Sequence, residues 1–84
     1  MLPDLRYQIE RYADLYAQMV FNGESATMLA SERYGRLCGL CYAYRELVYN
    51  DVRAIRGMAN AEIEAANVRL GYIDAEGYAI EGAA

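Results

Sequence analysis

From Leu5 onward the apolar positions advance in steps of four and three, through Leu5, Ile9, Tyr12, Tyr16 and Met19, while Arg6, Glu10, Asp14 and Gln18 gather on the opposite side. That spacing predicts a helix over residues 3–22. Pro3 stands where a first-turn proline is tolerated, and Asn22-Gly23 supplies a left-handed stop. A second seam runs through Ala30, Tyr34, Leu37, Cys41, Tyr44 and Val48, with Ser25 as its expected N-cap, and predicts a helix over 25–49. A turn of two or three residues between the two makes them antiparallel neighbours.

The second helix is not simply amphipathic. Every position from 37 to 44 is apolar or glycine, which covers the whole helix cylinder and predicts enclosure on more than one side. Opposite its seam lie Gly35, Gly39 and Ala43, each four apart. Mid-helix glycine weakens a helix, so the stripe points to a close approach there, either tight packing within the chain or contact with a second copy. Gly35, Gly39 and Ala43 are therefore the candidate self-association residues of a homodimer.

Beyond Tyr49 two readings stay open: Asn50-Asp51 ends the helix, or the helix continues to Gly57. Val52, Ile55, Ala59, Ile63, Ala66 and Leu70 keep helical spacing, with Asn60 as a further possible cap and Gly71 as a stop, so 51–70 is expected to be mostly helical. In the remaining segment, 71–84, Tyr72-Ile73 and Tyr78-Ala79-Ile80 flank the turn sequence Asp74-Ala75-Glu76-Gly77, which predicts a short hairpin or an ordered arm docked on the helices or on a partner. The fold class expected is all-α, a single small helical bundle over 1–84 with two long antiparallel helices, a third helical segment and a short C-terminal arm.

Composition narrows the chemistry. The 84 residues contain no His and no Trp, all eight basic residues are Arg, and nine of the ten aromatic residues are Tyr. Without imidazole, every Ser/His/Asp or Cys/His arrangement is excluded, as is the commonest general base. The net charge of −4 is unevenly placed. Seven acids and seven arginines cancel over 1–57, whereas Glu62, Glu64, Asp74, Glu76 and Glu81 outweigh Arg69 alone beyond it. Clustered basic charge for nucleic acid or an anionic membrane is missing, so neither is an expected partner, whereas an acidic end suits a basic protein surface.

Cys38-Gly39-Leu40-Cys41 has the spacing of a redox motif, but it falls in the middle of an apolar helix, where a thiol pKa rises, and two thiols do not close a zinc site. Both cysteines are expected to be small core residues, with no metal and no cofactor. Two cysteines without a secretory signal point to a reducing compartment, hence a cytoplasmic location. Glu62 and Glu64 diverge on a helix, and the glycines form no phosphate loop, so an enzyme is not expected.

What remains is binding. The acidic end and its tyrosines, Tyr72, Asp74, Glu76, Tyr78 and Glu81, together with Tyr7, are the candidate partner-binding residues, because tyrosine offers large, stiff, amphipathic contact area. The expectation is a non-enzymatic protein-binding module of the kind phages and mobile elements carry, an anti-defence or anti-CRISPR type of inhibitor that blocks a nucleic-acid-handling protein. Two alternatives stand beside it. One is an oligomer that holds a nucleotide-like ligand with Arg33, Arg36 and Tyr42, stacking a base and forking onto phosphate; the other is a structural subunit of a larger assembly.

Overall fold

In the computed structural model, which describes residues 2–74 and 76–79, the elements are α1 (Leu2–Phe21), α2 (Met28–Tyr49) and α3 (Ile55–Arg69). The chain is an all-α bundle. Pro3 and Asp4 sit in the first turn of α1, where a missing N–H costs nothing and a carboxylate opposes the positive end of the helix dipole. Gly23 ends α1 at φ 76°, with its N–H donated to the carbonyl of Val20 and that of Glu24 to the carbonyl of Met19, a Schellman closure. Gly71, at φ 79°, closes α3 in the same way, with Tyr72 donating back to Asn67.

The start of α2 departs from the expected Ser25 cap. Thr27 caps it instead: its hydroxyl accepts from the Ala30 N–H at 3.2 Å and donates to the Glu24 carbonyl at 2.8 Å. The connection from α1 is therefore six residues, 22–27, and not two or three. The reason is local, since the α1 closure uses the Glu24 N–H and the returning Thr27 uses its carbonyl, which winds 24–27 into a turn of their own.

Asn50 ends α2 in the left-handed conformation, at φ 50°, so the helix does not run on to Gly57. Residues 51–54 then form a loop where helix was expected, and Val52 lies in it, exposed. Asp51 holds the loop: its carboxylate accepts from the Arg53 N–H at 2.9 Å and from the Arg53 guanidinium at 3.0 Å, while Arg45 donates to its carbonyl. Ala54, also left-handed at φ 57°, precedes α3 without a side-chain cap. Asn60, a possible cap by sequence, lies inside α3, where its side-chain carbonyl accepts from the Tyr34 hydroxyl at 2.9 Å.

Cross-contacts set the helix directions. Positions 6, 12 and 16 of α1 meet 44, 36 and 34 of α2, so these two run antiparallel. Positions 6 and 14 meet 62 and 69, so α3 runs alongside α1 in the same sense. The core between them is Ile9, Ala13 and Ala17 of α1, Leu37 and Cys41 of α2, and Ala59 and Ala66 of α3. Alanine at the contact positions lets the backbones approach, and Tyr12, Tyr34 and Tyr44 flank them half-buried, their rings covering the core. No helix is long and apolar enough to cross a membrane among the described residues.

Candidate functional site

The arm beyond α3 folds back instead of trailing away. Tyr72 lays its ring flat on Phe21, with centroids 3.9 Å apart and planes at 8°, which fixes the arm to the C-terminal end of α1. Ile73 and Ala79 form an antiparallel bridge, and the Asp74 N–H donates to the Tyr78 carbonyl at 2.7 Å. The Asp74 carboxylate accepts from the backbone N–H groups of Glu76 and Tyr78, so it holds the loop between them. Of the expected partner-binding residues, Tyr72 and Asp74 are thus committed to building the arm, while Glu76 and Tyr78 are exposed, the latter at 72%. Glu81 lies outside the described residues.

Between arm and α3 runs an open cleft of about 290 Å³. Ala61, Ala65, Val68 and Ile73 supply its apolar lining, and Glu64, Asp74 and Glu76 its acidic groups. Glu64 is the member that sequence reasoning missed. Its signal was present, because 61, 64, 65 and 68 have the spacing of a single helix face, but the arm that completes the cleft is not visible in that spacing. Glu62, by contrast, points inward: Arg6 donates to it at 2.8 Å and to Glu10 at 3.2 Å, and the Arg6 guanidinium lies 5.5 Å from the centre of the Tyr44 ring. That clasp joins all three helices, and the paired carboxylates hold the Arg6 guanidinium well above its ordinary pKa. A second bridge, from Arg69 to Asp14 at 2.6 Å, ties the end of α3 to α1. Tyr7 is exposed but does not line this cleft; it borders a separate depression with Arg11, Asp14 and Arg69.

The residues of the nucleotide-like alternative are split. Arg33 and Arg36 line a shallow depression of about 280 Å³ with Tyr12, Leu15, Leu29 and Glu32, and the Arg36 guanidinium lies 5.8 Å from the centre of the Tyr12 ring. Tyr42 follows Arg33 by about two and a half helical turns, which puts it on the far side of α2. Glu32, which lines the same depression, opposes an anionic ligand.

Gly35, Gly39 and Ala43 are exposed, and a Cβ added at either glycine would meet nothing within 4 Å. Packing among the described residues therefore does not account for the stripe. Tyr42 shares that outer side of α2, and an open hollow of about 450 Å³ beside it is lined by Leu5, Ala43, Glu46, Leu47 and Asn50.

The thiols behave as core groups. Cys41 is fully buried, and burial first, with Glu62 and Cys38 adding to it, pushes its pKa up to about 11. Such a thiol stays protonated at neutral pH and is a poor nucleophile. Desolvation likewise raises the Tyr34 hydroxyl above its ordinary value. Among the described residues no group of three or more Cys, Asp or Glu side chains is placed to hold a metal ion. Comparison of the chain with protein-family models, with curated proteins and with solved structures finds no match in any of the three, so its functional reading rests on its own residues.

Proposed function

We propose that the protein is a stoichiometric protein-binding module that works as a homodimer in the cytoplasm and takes a basic segment of a nucleic-acid-handling protein into the cleft between α3 and the arm. The observation that carries this reading is the pairing of an apolar lining, Ala61, Ala65, Val68 and Ile73, with Glu64, Asp74 and Glu76. Such a cleft suits an Arg or Lys side chain, whose methylene stem lies on apolar surface while the cation meets carboxylates. Occupying that basic segment would compete with nucleic acid for it, which is the action of an inhibitor of the anti-defence or anti-CRISPR type carried by phages and mobile elements.

The test uses residues that do not build the fold. Glu64→Arg with Glu76→Arg reverses the cleft's charge and leaves the Asp74 loop bonds in place. Capture of a basic protein from the source cell by the wild-type chain, lost in the double variant while helix content stays the same, is the expected result. Capture undiminished by the reversal, or a captured protein that still binds nucleic acid normally, sinks the reading.

A further inference from the structure

The outer face of α2 meets no neighbour among the described residues, yet it carries two features that helices covered only by water do not require: large exposed apolar side chains and bare backbone. Met28 is 80% exposed, Tyr42 48% and Tyr49 58%, and Gly35 and Gly39 lie between them with open space where a Cβ would stand. Gly35, Gly39, Tyr42, Glu46 and Tyr49 advance in steps of four, three, four and three, the spacing of a seam that faces one straight partner helix. We propose that the partner is a second copy of this chain, its α2 packed antiparallel on the first around a two-fold axis, with the ring of Tyr42 seated on Gly39 of the second copy. This rests on the homodimer part of the reading above and adds its geometry.

Charge and shape select this register. Parallel pairing about a two-fold axis sets every residue against itself, Glu46 against Glu46 and bare glycine against bare glycine. Antiparallel pairing that sets Tyr42 against Gly39 also sets Glu46 against Gly35 and beside Arg36, and Glu32 against Tyr49, whose hydroxyl can donate to it. Each outward carboxylate then meets a cation or a donor, and each notch left by a glycine meets a side chain from the other copy. Arg36, which lies over the Tyr12 ring, and Glu46 are both exposed, and neither enters an ion pair within the chain among the described residues, so each keeps its charge available to the other copy. The strip is about 33 Å long and about 10 Å wide on each copy, smaller than the interface of a standard stable complex, so weak association is expected, with a dissociation constant in the upper micromolar range.

Sedimentation equilibrium of the full chain across that range tests the proposal. Wild type is expected to be a dimer at the upper concentrations. Arg36→Glu and Glu46→Arg are each expected to weaken it about tenfold, and the double variant Arg36→Glu/Glu46→Arg to recover it, because the swap restores opposite charges only across an antiparallel pair. Gly39→Leu, which has room in the monomer, is expected to keep its helix content and sediment as a monomer. A wild type that stays monomeric overturns both the homodimer and its geometry. A dimer that ignores the charge changes, or is not recovered by the swap, overturns this register alone.

Discussion

The two sides of α2 are built from the same apolar alphabet and come to opposite ends. Its inner side buries Ala30, Leu37 and Cys41 completely, the last two in the core shared with α1 and α3, while its outer side leaves Met28, Leu47 and Tyr49 exposed, with Gly35 and Gly39 uncovered among the described residues. Apolar residues around the whole cylinder predict enclosure from every direction, and the described residues supply only two other helices. Both lie on one side of α2. The contrast separates burial that holds the monomer together from apolar surface that the monomer does not need, and substitutions on the two sides should differ accordingly.

The largest effect belongs inside. Leu37→Ala removes one of the three largest fully buried side chains from a core otherwise made mostly of alanine, and it should cost about 2–5 kcal/mol in urea unfolding, a large share of the stability of so small a domain. Tyr42→Ala, on the outer side, should change the stability of the dilute monomer by less than about 1 kcal/mol. Equal losses at the two positions would erase the distinction.

A pH effect follows from Cys41. Its thiol has an ordinary value of 9.0 and is held at about 11 by burial, so below pH 9 both folded and unfolded chains carry the proton and stability is unaffected. Between pH 9 and 11 the unfolded chain ionises first, and the fold should lose about 2–3 kcal/mol that Cys41→Ala does not lose. The comparison is made between the two proteins, so that every contribution other than the Cys41 thiol cancels. Parallel stability curves for wild type and variant above pH 9 would contradict the burial of this thiol.

How far the sequence could be read depended on the physics involved. The stops at Gly23 and Gly71 were legible because only glycine takes a positive φ without strain, and both do so. Ser25 and Thr27 were not separable, because both carry a capping hydroxyl and the choice is made by the turn that the α1 closure imposes. Ala54 gave no sign of its left-handed backbone, a conformation alanine does not favour. In α1 the predicted seam was half right: Ile9 and Met19 are buried, but Ala13 and Ala17 complete the buried set where Tyr12 and Tyr16 were expected, since alanine's small side chain marks the closest helix approach although its apolar weight is slight. The candidate site was legible only in its charges. Glu64 and Glu76 lie on one cleft because Tyr72 stacks on Phe21, a contact between distant parts of the chain that no periodicity records.

The smallest predicted effect is the sharpest for the comparison, because it has the opposite sign. Gly39 sits in the middle of α2 with helical backbone, and a Cβ placed on it touches nothing. Alanine there lowers the entropy of the unfolded chain and adds no clash, so Gly39→Ala should stabilise the dilute monomer by about 0.4–1 kcal/mol in urea unfolding. Gly23→Ala should do the reverse by a similar amount, since φ 76° strains any residue with a Cβ. A glycine whose replacement improves the isolated fold is not held there by that fold. If Gly39→Ala instead destabilised the monomer, the bare strip on α2 would belong to the chain's own packing, and the division between an inner side that folds the protein and an outer side that meets something else would fail at its central residue.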